Sequence, residues 1–125
     1  RSTRLGHGLA EAEAIRDVVV ENNDFQDQGG AAVFVGGARN VTLRDNRITA
    51  ASGAELRGKG AAIRIERSSG VAVLNNTVSD PRPGTTAAVE IGPDVKPGQA
   101  GARLSGLKAS LAPEAKQMID RRTAP

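Results

Sequence analysis

Alternation of apolar and polar residues comes in short bursts along this chain, and three of the bursts share one spelling. "VVVENNDF" (18–25), "VTLRDNRI" (41–48) and "VAVLNNTV" (71–78) each read apolar, any, apolar, any, any, Asn, any, apolar when aligned on Asn23, Asn46 and Asn76. The period of two predicts strands whose inward residues are Val18, Val20 and Phe25, then Val41, Leu43 and Ile48, then Val71, Val73 and Val78. A second series lies between them: "AAVFV" (31–35), "AAIRI" (61–65) and "AAVEI" (87–91). Here the same period turns Ala31, Val33 and Val35 inward, level with Ala61, Ile63 and Ile65 and with Ala87, Val89 and Ile91.

The asparagines are spaced by 23 and 30 residues, and the centres of the second series, Val33, Ile63 and Val89, by 30 and 26. Two strand series that advance together describe a chain winding through about three coils of a solenoid, with equivalent strands stacked in parallel at ~4.8 Å. Each Asn then sits at the bend after a strand. Its carboxamide can bond the neighbouring coil's amide and backbone groups that the bend leaves unpaired, so Asn23, Asn46 and Asn76 read as a structural ladder. The outward positions form two columns. One is Phe34, Arg64 and Glu90, with the last two placed for an ion pair, and the other is Glu21, Arg44 and Leu74.

Residues 15–92, with V-x-V-x-x-N-x-[IVF] followed by a glycine-bounded strand, resemble the repeats of the right-handed parallel β-helix superfamily. That superfamily holds pectate-lyase-like polysaccharide lyases, glycoside hydrolases and related surface proteins. The fold class expected is all-β, a single-stranded right-handed parallel β-helix. Leucine-rich repeats share the L-x-L-x-x-N-x-L core and a buried Asn ladder. They ask for a further apolar residue three positions upstream, which Ile15 supplies but Ala38 and Ser68 supply poorly, and they lack a second alternating strand in every repeat.

The ends of a solenoid expose core unless capped. Residues 1–14, with the Ala- and Glu-rich "GLAEAEAIRD" segment starting at Gly8, read as a cap or as the last part of an earlier coil. Residues 93–109 read as a turn-rich connector with Leu104 and Leu107 in one more irregular strand. Residues 110–122 read as a short capping helix. Ser110 is its N-cap, Pro113 and Glu114 stand in its first turn, Leu111, Ala115, Met118 and Ile119 form its apolar stripe, and Arg121 and Arg122 stand in its last turn.

Composition narrows the chemistry. With only Phe25 and Phe34 as aromatics, the core must be aliphatic, and fifteen glycines and six prolines fit many turns. The charges are scattered and sum to only +3, which gives no support for nucleic-acid binding. Arginine supplies 13 of the 17 cations, a residue suited to clamping carboxylates. No apolar run approaches the ~20 residues of a membrane span. There is no cysteine, so neither disulfides nor thiol chemistry enter. The chain opens at Arg1 with neither an initiator Met nor a signal peptide, which reads as a piece of something longer.

Candidate chemistry is sparse. His7, the only histidine, sits between Gly6 and Gly8 with no assignable partner. Glu21, Asp24, Asp27, Asp45, Glu66, Asp80, Glu90 and Asp94 fall on outward or loop positions, but none lies in a catalytic motif. Asn40-Val-Thr and Asn75-Asn-Thr match the glycosylation pattern, yet both lie inside the repeat and read as turn and ladder residues. No metal site and no cofactor are predicted from the residues. The resemblance alone implies Ca²⁺ in a parent protein.

The binding candidates are Phe34, Arg64, Glu90, Arg44 and Glu21. With them, the resemblance implies the C-terminal part of a secreted or periplasmic bacterial protein that binds or helps to process polysaccharide, anionic polymers included. If that parent is a lyase or hydrolase, its catalytic residues lie mostly outside this segment. The alternative is a non-catalytic assembly module that stacks on preceding coils or on another subunit through an open N-terminal end. A complete small lyase or hydrolase ranks last, because three coils offer little room for a groove and a catalytic set.

Overall fold

The computed structural model describes residues 16–95 and 102–121, and the described chain is all strand and turn. The first coil holds β1 (Arg16–Glu21), β2 (Asp24–Gln26) and β3 (Val33–Gly36), and the second β4 (Arg39–Arg44), β5 (Arg47–Thr49) and β6 (Gly60–Glu66). The third holds β7 (Ser69–Leu74), β8 (Thr77–Asp80) and β9 (Thr85–Ile91). A fourth holds β10 (Ala102–Ser105), β11 (Lys108–Leu111) and β12 (Lys116–Asp120). Equivalent strands pair in parallel, so β1, β4, β7 and β10 form one sheet, β2, β5, β8 and β11 a second, and β3, β6, β9 and β12 a third.

Three sheets replace the two strand series expected from the alternation. The extra corner comes from the residue before each ladder position: Asn22, Asp45 and Asn75 have φ of +56°, +56° and +55°. This left-handed conformation suits Asn and Asp, and it turns the chain so that Phe25, Ile48 and Val78 begin a sheet of their own. In the fourth coil Gly106 takes the same place with φ +71°, where a Cβ would also run into the Asn75 side chain. A leucine-rich repeat, with one sheet lining each repeat, is excluded by the same three-sheeted coil.

The alternating aliphatics fill the interior. Val20, Val41, Leu43, Val71 and Val73 come from the first sheet, Ile48 and Val78 from the second, and Val33, Val35, Ile63, Ile65, Val89 and Ile91 from the third, all buried. Val18 and Phe25 of the first coil are only partly covered. One detail departs from the strict period of two: Ala61 and Ala87 are buried as expected, but so are their neighbours Ala62 and Ala88, and in the first coil Ala32 is buried while Ala31 is only partly covered. Consecutive residues face inward there because the chain rounds a corner, marked by a register shift between Gly60 and Ala61.

The asparagines bind the coils to one another. Asn46 Oδ1 accepts the backbone N–H of Asn23 at 3.1 Å and its Nδ2 at 3.1 Å. Asn46 Nδ2 donates to Val20 O at 3.0 Å and to Asn76 Oδ1 at 3.0 Å. Every donor and acceptor of this buried carboxamide is thereby used. Asn76 repeats the pattern, accepting Asn46 N–H at 3.0 Å and donating to Leu43 O at 2.9 Å. Leu107 stands at the equivalent place in the fourth coil and has no amide to offer.

The capping helix expected over 110–122 is not formed. Ser110 and Leu111 lie in β11, residues 112–115 make a turn closed by Ala115 N–H to Ala112 O at 2.9 Å, and Met118 and Ile119 lie in β12 opposite Val89 and Glu90. The exposed edges of β8 and β9 offer unpaired N–H and C=O groups that a strand satisfies and a helix laid across them does not. Pro113 falls in the turn, where its missing N–H breaks no ladder bond. The connector expected over 93–109 likewise contains β10, with Leu104 in the strand and Leu107 at the bend. The expected N-terminal cap or coil over 1–14 lies outside the described residues.

Replacing Asn46 by Ala removes the acceptor of the Asn23 backbone amide, a donor to the Val20 carbonyl and the rung to Asn76, so the loss expected is about 1–3 kcal/mol. Thr42→Ala, on the outward side of the same coil, should stay well below that. Urea unfolding of both variants measures the difference, and equal losses would contradict the ladder's role.

Candidate functional site

Register makes the members of each outward column neighbours on adjacent strands. In the third sheet Phe34 pairs with Arg64 and Arg64 with Glu90. Arg64 Nη1 lies 2.6 Å from Glu90 Oε1 and its Nε 2.8 Å from Glu66 Oε2, while Arg121 Nε reaches Glu90 Oε2 at 2.8 Å. Glu90 is buried between two guanidiniums, so the column is a chain of ion pairs with little left to offer a ligand. Phe34 stands half-buried at its head. On the first sheet Arg44 donates from both Nε and Nη2 to Glu21, and that hydrogen bond and charge hold the Glu21 carboxyl below the usual carboxylate range. Leu74 follows Arg44 in register.

The remaining acids are similarly placed. Asp24 accepts from Gln26, Asp27 caps the Ala51 amide at 2.9 Å, and Asp45 lies 3.9 Å from Arg44. His7 lies outside the described residues. Among the described residues no group of three or more His, Cys, Asp or Glu stands together as a metal cradle.

A concave site does exist, at the corner between the second and third sheets. The second coil makes this passage with the segment 50–59, longer than its counterparts at 27–32 and 81–84. The segment is clasped on both sides. Arg57 N–H donates to Gly29 O of the first coil at 3.0 Å, and Arg82 Nη1 of the third coil donates to Glu55 O at 2.9 Å. Leu56 lies over Gly84 so closely that a Cβ there would stand 2.6 Å from Leu56 Cδ2. The result is a cleft of about 180 Å³ whose cations are Arg57, Lys59, Arg64 and Arg82 and whose one carboxylate is Asp80.

Asp80 and Arg82 form a buried pair, 2% and 4% exposed. Arg82 Nε and Nη2 grip the two carboxylate oxygens at 2.9 and 2.8 Å, and Thr85 Oγ1 donates to Oδ2 at 2.7 Å. Burial alone would push the Asp80 carboxyl up; the bonds from Arg82 and Thr85 and the Arg82 charge outweigh it and hold it below the ordinary range. An acid so held stays ionised at neutral pH and does not act as a proton donor. Arg57 and Lys59 are exposed, and among the described residues neither has an ion-pair partner.

None of Arg57, Lys59 or Arg82 was singled out by the strand pattern. The available signal was spacing: Asn46 precedes Ile63 by 17 residues, whereas Asn23 precedes Val33 by 10. That excess marks the clasped segment, although the pattern says nothing of its shape.

A family model described as a right-handed beta helix region matches residues 6–95. No curated protein and no solved structure matches the chain.

Asp80→Asn leaves Arg82 buried with its charge uncompensated, so the variant should lose about 3 kcal/mol at pH 7. The pair's contribution is complete above the unfolded carboxyl's pKa of about 3.9 and fades as pH falls through the lower folded value. Urea titrations at pH 7 and in acid should therefore show the two proteins converging at low pH; a constant gap would contradict this reading of the pair.

Proposed function

The chain belongs to the family of right-handed β-helix regions, and from that premise we propose that it binds an anionic polysaccharide through the cleft beneath the 50–59 segment. One observation carries the reading: Arg57 and Lys59 flank a concavity whose only carboxylate, Asp80, is already neutralised by Arg82. Its volume is below the ~300–1,000 Å³ of sites that enclose a drug-sized ligand, which suits one acidic ring of a polymer that otherwise runs over the surface. Arg57 supplies a planar fork for a carboxylate and Lys59 a point charge beside it. Partly apolar lining from Ala61, Ala62 and Leu56 gives a sugar face something to lie on. Such polymers are met outside the cytoplasm, and a secreted or periplasmic location goes with the proposal. The role is binding; no catalytic residue is assigned.

Affinity electrophoresis and calorimetry with polygalacturonate, alginate and neutral dextran test it. Binding to the two uronate polymers is expected, weakening with added salt because the cations are exposed. Loss of both Arg57 and Lys59 to Ala should weaken it about tenfold, roughly 1.4 kcal/mol. Equal retention of dextran, or no retention of either uronate polymer, would overturn the reading.

A second reading, assembly through the coil end, is favoured by the fourth coil. Leu104, Leu107 and Leu111 are only partly covered there, and Met118, level with buried Val89, is 44% exposed. Met118→Lys should abolish any concentration-dependent association seen by light scattering, whereas an unchanged profile would remove the support.

A further inference from the structure

A second cleft, of about 210 Å³, lies on the corner where each coil returns from the third sheet to the first. Arg39, Arg67, Ser68, Ser69 and Asp94 line it. Most of its backbone donors are already engaged: Gly37 N–H with Glu66 O at 3.3 Å, Arg67 N–H with Pro93 O at 2.9 Å, Ser69 N–H with Ala38 O at 3.1 Å, and Ala38 N–H with Ser68 Oγ at 3.2 Å. The Ser68 hydroxyl itself donates to Glu66 O at 2.8 Å. What remains to meet a ligand is the pair of guanidiniums and the Ser69 hydroxyl.

One strand pair here sets like charges side by side. Several outward polar residues on neighbouring strands are matched, Glu21 with Arg44, Arg64 with Glu90, Asp17 with Asn40. Arg39 instead has Arg16 directly opposite on β1, a like-charge neighbour that destabilises a sheet. Among the described residues neither Arg16 nor Arg39 has a carboxylate within 4.0 Å, and Arg67 reaches only Glu66, at 3.7 Å. Asp94 shares the cleft but forms no ion pair with either arginine. Among the described residues no carboxylate offsets the Arg16–Arg39 pair, whereas an anion from outside would compensate it.

We propose that this cleft is a second anion site and that it takes a sulfate monoester on a sugar. Arg39 and Arg67 offer forked donors to the sulfate oxygens, with Arg16 adding charge from the next strand. Asp94 sets the selectivity. Its carboxylate repels a second negative charge and accepts a hydrogen bond from a hydroxyl beside the ester. A sulfate monoester carries a single charge, while a phosphate monoester carries about −1.5 to −2 at pH 7. The site shares no lining residue with the cleft under 50–59 and stands whether or not that cleft binds a uronate.

The test is a titration of the full chain with glucose 6-sulfate, glucose 6-phosphate and glucuronate, followed by amide chemical shifts and calorimetry. Saturable shifts at Arg67, Ser68 and Ser69 are expected, with the sulfate ester bound most tightly. Arg39→Ala should weaken it about tenfold, the loss of one charge-assisted contact, without lowering the melting temperature. Asp94→Asn should narrow the gap between sulfate and phosphate, and Arg57→Ala should leave sulfate binding unchanged. No saturable shift at this corner, undiminished binding by the Arg39 variant, or a preference for phosphate in the unaltered chain would each overturn the proposal.

Discussion

The stacked carboxamides of Asn23, Asn46 and Asn76 are the constraint on which the rest depends. The Asn46 and Asn76 side chains each bridge to the preceding coil twice, once to a backbone amide and once through the side-chain amide to a carbonyl, and Asn23 joins the ladder by donating to Asn46. A shift of one residue between coils would strand those groups in the core, where an unmade bond is expensive. Parallel strands alone tolerate such shifts poorly specified; the ladder removes the choice. With register fixed, Val41 must lie over Val71 and Ile63 over Val89, and an aliphatic core follows from short strands. The surface columns follow too, because the same register that stacks the core stacks Glu21 on Arg44 and Arg64 on Glu90.

Those surface columns explain why an exposed charge on this protein is usually not a binding residue. Salt-bridged neighbours hold each other across the coils and present little free charge to solvent. Interest therefore moves to the corners, where the chain changes sheet and the matching stops. Arg57 and Lys59 at one corner, and Arg39 with Arg16 at another, are cations without an ion-pair partner among the described residues. At the first of these corners the buried Asp80–Arg82 pair serves a different end, linking the third coil to the backbone of the second through Glu55 O.

How far the sequence disclosed this depended on repetition. Where three copies of a pattern could be aligned, the strands, their parallel stacking and the place of the asparagines were readable, because periodicity reports which side of a strand is buried. A single copy was not enough. Residues 116–120 contain Met118 and Ile119 next to each other, a spacing that suits a helix stripe as well as a strand, and only the open edge of β9 decides for the strand. Separation of the second sheet hinged on the left-handed Asn22, Asp45 and Asn75, which read as ordinary polar residues before a bend. The clefts were illegible for a different reason: they are assembled from turns of three coils, and no local pattern relates Gly29, Glu55 and Arg82.

The unequal passages between the second and third sheets carry a consequence for how such a molecule can change. At the ladder corner the coil allows two residues and no more, since Asn22–Asn23, Asp45–Asn46 and Asn75–Asn76 must each deliver a carboxamide to a fixed point. At the corner bearing 27–32, 50–59 and 81–84 the chain has already accepted three different lengths around the same core. Extra length is thus kept away from the ladder corner and falls at the other two, since the return from the third sheet to the first also takes two residues at 37–38 and 67–68 but ten at 92–101. New recognition can be grafted there coil by coil, as independent cassettes, with the core none the wiser.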